Sequence, residues 1–131
     1  MPYSRIIAAA CGLLLVFPIT AWADATDYEF QAVAVEVKNG SGAELLVRLM
    51  HKPSGNPVDG ALIVKTRLDM APDAMEAMTA KHSPAEPAGT PGVYRFKADL
   101  TMAGGWALKL MAKIQGERET VIGTVIFKAV D

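Results

Sequence analysis

Between Asp69 and His82 the chain reads DMAPDAMEAMTAKH, which places Met70, Met75, Met78 and His82 within one short span. A thioether sulfur is a soft, neutral donor that suits Cu(I) and discriminates against zinc, magnesium and calcium. Unlike a thiolate it needs no deprotonation, so it still binds in an acidic or oxidising compartment. Pro72 stands where a short helix could begin. A helix from there would carry Met75, Met78 and His82 at i, i+3 and i+7, on one face. Asp73 and Glu76 would then lie near its positive end. Met102, just ahead of Gly104-Gly105-Trp106, is a further candidate donor. The chemistry expected of this set is Cu(I) binding by Met70, Met75, Met78, His82 and Met102. The same stretch also suits an amphipathic turn that closes a β domain, with methionines as adaptable fillers of the core.

Enzyme chemistry has little to work with. The sequence holds no G-x-S-x-G, no H-E-x-x-H and no P-loop. It has two histidines and one cysteine. His51, at the end of a strand beside a loop, reads as an ordinary surface residue. Asp69, Asp73 and Glu76 are close in sequence, but carboxylates in a loop are usually solvated. The expectation is a protein that is not an enzyme.

The first residues read as a secretory leader. Arg5 supplies the positive region, Ile6–Ile19 the apolar region, and Ala21-Trp22-Ala23 a small-x-small cleavage site before Asp24. A membrane anchor needs roughly 20 unbroken apolar residues, and Pro18 and Thr20 interrupt this run. The expected division is therefore a signal peptide over 1–23 and one domain over 24–131, periplasmic or secreted, with no membrane span after cleavage. Cys11 falls within the leader, so the mature chain would have no disulfide and no thiolate site. The formal net charge is −1, and no basic run provides an electrostatic footprint for nucleic acid. A domain of ~108 residues buries about two-thirds of its unfolded surface. A metal is then not needed for folding.

The elements that must position the methionines are strands. Period-two alternation marks a half-buried strand. It runs through Tyr28–Lys38, with Val33, Val35 and Val37 on one side, and through Glu44–His51, with Leu45, Val47 and Leu49 inward. Ala61–Leu68 is expected to turn Leu62, Val64 and Leu68 inward and Lys65 and Arg67 outward. Val93–Leu100 turns Tyr94, Phe96, Ala98 and Leu100 inward. Trp106–Ile114 buries Trp106, Leu108, Leu110 and Ile114 and exposes Lys109, Met111 and Lys113. Glu119–Ala129 points Val121, Val125 and Phe127 inward. The strands are separated by Gly- and Pro-rich turns such as KPSGNPVDG at 52–60 and SPAEPAGTPG at 83–92. Six such strands, with a short seventh in or near the Met/His stretch, predict an all-β, antiparallel immunoglobulin-like sandwich of about seven strands. Met50 and Met111 fall on polar faces, which fits a face partly covered by a loop or a partner.

Asn56-Pro57-Val58-Asp59-Gly60-Ala61 resembles the turn that opens a strand in many immunoglobulin-like bacterial modules. The order that follows is a strand, a methionine-containing segment, a loop, Gly92-Val93-Tyr94 and then Met102-Ala103-Gly104-Gly105-Trp106. That order, over roughly Val33 to Phe127, resembles the YtkA-like family, which overlaps the FixH-like proteins. The resemblance implies a small exported or membrane-tethered immunoglobulin-like domain associated with copper handling or cytochrome oxidase assembly. The leader here reads as cleavable, unlike the membrane helix that FixH-like proteins keep.

Two functions are expected from these readings. One is a periplasmic protein that binds Cu(I) and buffers it or passes it to an envelope partner in copper transport or oxidase assembly. The other is a docking module with no metal, working in an envelope or efflux complex. The first predicts methionine sulfurs converging at one end of the domain. The second predicts methionines in the core and an exposed apolar patch elsewhere.

Overall fold

The computed structural model describes residues 25–131. The expected leader, its cleavage site and Cys11 lie outside the described residues. Among the described residues ten strands form two sheets. They are β1 (Tyr28–Ala32), β2 (Glu36–Lys38), β3 (Gly40–His51), β4 (Asn56–Pro57) and β5 (Leu62–Met70), followed by β6 (Met75–Thr79), β7 (Glu86–Pro87), β8 (Val93–Leu100), β9 (Gly104–Lys113) and β10 (Val121–Val130). The first sheet has the order β1-β3-β8-β7, with β4 on the end of β3; the second has the order β2-β10-β9-β5-β6. All pairings are antiparallel except β2 with β10. This is an immunoglobulin-like sandwich. No helix among the described residues is long and apolar enough to cross a membrane.

The core is the alternation made three-dimensional. Leu45, Val47 and Leu49 of β3 and Phe96, Ala98 and Leu100 of β8 meet Trp106, Leu108 and Leu110 of β9 and Val121, Val125 and Phe127 of β10. Phe30 crosses from β1 onto β10, where a Cβ on Gly123 would lie 2.5 Å from its ring. Trp106 is fully buried, and its Nε1–H donates to the Met102 carbonyl at 3.1 Å. The loop over 52–60 is pinned by Tyr94, whose hydroxyl donates to Val58 O at 2.8 Å and accepts from Ala61 N–H at 3.0 Å. Gly92 N–H donates to Asp59 at 2.6 Å, and a Cβ on Gly92 would collide with Pro57. The 56–61 turn and Gly92-Val93-Tyr94 are thus two halves of one contact.

Three expectations change. The stretch 28–38 is not one strand: β1 pairs with β3, the chain then crosses, and β2 pairs with β10 in the other sheet. Val33 and Val35 lie in that crossing and are exposed. On β5 the register against β9 shifts between Ile63 and Lys65, a bulge that adds one residue and reverses the facing of everything before it. Leu62 therefore faces solvent and is 63% exposed, and Val64 is exposed as well, while Leu68 and Met70 stay in the core.

The third change concerns the expected helix after Pro72. One 3-10 turn forms over Ala71–Asp73, with proline in its first positions. It ends because Ala74 adopts a left-handed conformation, φ 58°. The chain then returns along β5 as β6. The seventh strand near the Met/His stretch is therefore present. Met75, Met78 and His82 do not share a helical face, because the open edge of β5 offers the backbone strand pairing instead of an isolated helical turn.

Candidate functional site

The five expected copper donors do not converge on one point. Met70 is fully buried in the core, and its methyl group is the close neighbour of Gly104. Met75 is its cross-strand partner and is partly buried against the same core. Met78 and Met102 are 40% and 39% exposed. The turn over Ala71–Asp73 packs on the start of β9: a Cβ on Gly105 would stand 2.7 Å from Pro72 Cβ, and Gly105 N–H donates to Asp73 Oδ2 at 3.1 Å. Met102, two residues before Gly104, is therefore at the same end of the sandwich as Met70 and Met75.

His82 is elsewhere. It lies opposite Thr66, four residues along β5 from Met70, a distance of roughly 13 Å at strand rise. Ala80 N–H bonds to Leu68 O on one sheet, whereas Asp99 N–H bonds to Lys81 O and Ser83 N–H to Lys97 O on the other. The segment 80–83 thus closes the open side of the sandwich. Both ring nitrogens of His82 have partners there, Nε2 with Thr66 Oγ1 and Nδ1 with Ala80 O. A Cu(I) site using all five residues would need Met70 to leave the core and His82 to leave Thr66. Met75 and Met102, with Met78 nearby on β6, are the subset that shares an end. Among the described residues no group of three or more histidine, cysteine, aspartate or glutamate side chains could hold a metal ion.

The most organised polar group is Asp69, and it is fully buried. Arg67 Nε donates to Asp69 Oδ2 at 2.8 Å, and Lys109 Nζ lies 3.0 Å from the same oxygen. Ala71 N–H donates to Oδ1 at 3.0 Å. Burial pushes the carboxyl pKa up, but the hydrogen bonds from Lys109, Ala71 and Arg67 outweigh it and hold the group below its ordinary value. Arg67 Nη2 also donates to Glu76 O at 2.9 Å, tying β6 to β5. This carboxylate therefore closes the start of the Met/His stretch structurally and leaves no oxygen without a donor.

The surface that stands apart is the outer face of the second sheet. Met111 pairs with Ile122 across β9 and β10, Ile126 follows on β10, and Leu62 pairs with Lys113 across β5 and β9. Ile122 is 71% exposed, the highest of the large apolar side chains among the described residues. Around them stand Lys65, Arg67, Lys109 and Lys128. A groove of about 260 Å³ on this face is lined by Lys65 and Arg67 of β5, Lys109 and Met111 of β9, and Ile122 and Thr124 of β10. The outward sets of the strands were readable one by one. Missing were the bulge that turns Leu62 out, and the adjacency of β5, β9 and β10 that makes one surface of them. Ile122 and Ile126 carried a signal of their own, since apolar residues on the outward phase of β10 had no core to fill.

A two-sheet immunoglobulin-like domain whose second sheet presents exposed apolar side chains interleaved with lysines is what these features define. The chain belongs to the YtkA-like family, whose model matches residues 23–111. Among curated proteins none matches at a significant level. Similar solved structures include the ZirS C-terminal domain, 12% identical, covering 82% of this chain and 68% of that one with TM-score 0.48. The Yersinia pseudotuberculosis adhesin InvE is 13% identical over 82% of this chain and 27% of its own, TM-score 0.45. The Escherichia coli adhesin FdeC is 16% identical over 82% and 32%, TM-score 0.42. This chain spans about a third or less of the length of those two adhesin structures.

Proposed function

We propose that this YtkA-like domain is a docking module of the cell envelope, exported by the leader over 1–23, which presents the outer face of its second sheet to a protein partner. The observation that carries the reading is the joint exposure of Leu62, Ile122 and Ile126 on that face while Met70 fills the core. Met111 and Ile122 are direct cross-strand neighbours, with Leu62 beside Lys113 and Ile126 beyond Thr124; exposed apolar side chains set together among polar ones mark an interaction site, whereas single ones are ordinary on a surface. The test is site-specific photocrosslinking in cells, with the probe at Ile122 or, as control, at Leu46 on the outer face of the first sheet. Crosslinks to one protein from Ile122 alone support the reading. Equal or absent crosslinking at the two positions removes it.

A second reading keeps copper. It is favoured by Met102 lying at the same end as Met75, and by the partial exposure of Met78 and Met102. In this reading Cu(I) binds there and is passed to an envelope partner, the association with copper handling that the resemblance to the YtkA-like family implies. Cu(I) titration of the purified protein against a competing chelator decides it: affinity weaker than about micromolar removes the copper role.

A further inference from the structure

We infer that the partner segment received by the outer face of the second sheet is acidic and extended, with an apolar side chain seated in the groove that Met111 and Ile122 line together with Lys65, Arg67 and Lys109. This rests on the docking reading above and names the chemistry of what docks.

The argument is charge complementarity. In a chain of net charge −1, the strands of this sheet carry six cations on the outward phase: Lys38, Lys65, Arg67, Lys109, Lys113 and Lys128. Against them stand the carboxylates of Glu36, Glu76 and Asp69. Asp69 is buried and already engaged by Arg67 and Lys109. Lys65, Lys113 and Lys128 form no ion pair among the described residues. Arg67 and Lys109 are directly opposite in the register, an arrangement of like charges that a sheet ordinarily avoids.

The first sheet shows the alternative within the same molecule. Its outward cations are Arg48, Arg95 and Lys97, and Glu29, Glu44, Glu86 and Asp99 stand among them. Glu44 is opposite Lys97, and Glu86 is opposite Arg95. That face is neutralised from within, whereas the second sheet leaves its neutralisation to something outside the domain.

The shape selects a protein segment. Seating on a lipid surface needs apolar side chains that project past the charged heads. Here Met111 and Ile122 are neighbours on a sheet and border a groove walled by Lys65, Arg67 and Lys109. Single-stranded nucleic acid needs aromatic platforms for its bases, and the lining of this groove has none. A carboxylate-bearing segment with one aliphatic or aromatic side chain satisfies both the groove and its rim.

The experiment is an amide NMR titration of the full purified protein with three probes. These are a peptide of aspartate and glutamate around a central Leu-Phe pair, the same peptide with its carboxylates replaced by amides, and phosphatidylglycerol vesicles. The inference expects the acidic peptide to shift Lys65, Met111 and Ile122, and to bind about tenfold more weakly in high salt. The amide peptide is expected to bind at least about tenfold more weakly, as is the acidic peptide to the double variant Lys65→Glu, Lys113→Glu, with an unchanged melting temperature. The inference is overturned by equal binding of the two peptides, by shifts confined to the first sheet, by no binding, or by preference for vesicles. Ile122 crosslinking in cells separates the two levels. Crosslinks that survive Lys65→Glu and Lys113→Glu leave the docking reading standing and remove the acidic partner; loss of all crosslinks in the unmodified protein removes the docking reading itself.

Discussion

Arg67 and Lys109 face each other across β5 and β9, and the carboxylate of Asp69 stands between their charges. Asp69 is buried while both cationic side chains remain more than a third exposed, 52% for Arg67 and 39% for Lys109. Removing either cation should therefore cost little, about 1 kcal/mol or less. Asp69→Ala is different, because it leaves Ala71 N–H without its acceptor and the two cations facing each other. It should cost about 2–4 kcal/mol in denaturant melts.

The same carboxylate sets an acid dependence. Its folded pKa lies below the ordinary value of 3.8, so its stabilisation is present above that value. It is lost as the pH falls through the folded pKa. Unfolding followed from neutral to acid pH should show a loss of stability below the ordinary carboxylate range that is absent in Asp69→Asn.

An alkaline dependence belongs to Tyr28. Burial, then the hydrogen bond to Glu117 at 3.0 Å and the charges of Glu117 and Asp27, push its pKa up to about 12. A raised folded pKa means that this contribution is intact below the ordinary value of 10.0 and is lost as the pH rises towards 12. Burial raises Tyr94 as well, so ultraviolet titration of the phenolates should show both tyrosines ionising late, and Glu117→Gln should bring the Tyr28 component earlier while leaving that of Tyr94 in place.

Ala74 is the one non-glycine residue with positive φ among the described residues. The left-handed region strains a Cβ, and glycine relieves it. Ala74→Gly should raise stability by roughly 0.5–1 kcal/mol, the gain being reduced by the greater freedom of glycine in the unfolded chain. A lower melting temperature would mean that the Ala71–Asp73 turn is not held in this conformation.

The Gly104-Gly105 pair is explained by what lies on it. A Cβ on Gly105 would meet the Pro72 ring at 2.7 Å, and one on Gly104 would meet Asp73 and the Met70 methyl group. Gly105→Ala should destabilise by about 1–3 kcal/mol, the usual range for forced overpacking. Pro72→Gly should recover part of that loss, because it removes the Cβ that the new methyl group meets; strict additivity of the two changes would place the turn away from β9.

The methionines separate by burial. Met70→Ala should cost about 2–5 kcal/mol as a core truncation, whereas Met78→Ala should cost less than about 1 kcal/mol. If Cu(I) binds at the shared end, Met102→Ala together with Met78→Ala should weaken it by more than about tenfold with the melt nearly unchanged. A chelator competition that does not move in that double variant excludes the end-of-sandwich site.

The strand alternation by itself determined the sandwich and most of its core. Leu45, Val47, Leu49, Phe96, Trp106 and Phe127 are inward by phase alone, and they are buried in the structure. This is legible because a strand facing a core on one side has a local period of two. Tertiary structure decided what local phase does not contain. A one-residue bulge sent Leu62 outward, and pairing along β5 turned an expected helix after Pro72 into a strand. Strand order set β9 between β5 and β10, and so brought Lys65, Lys109, Met111 and Ile122 to one face. Each of these depends on which backbone groups find partners across long sequence separations, and a list of residue types at fixed spacings does not encode those partners.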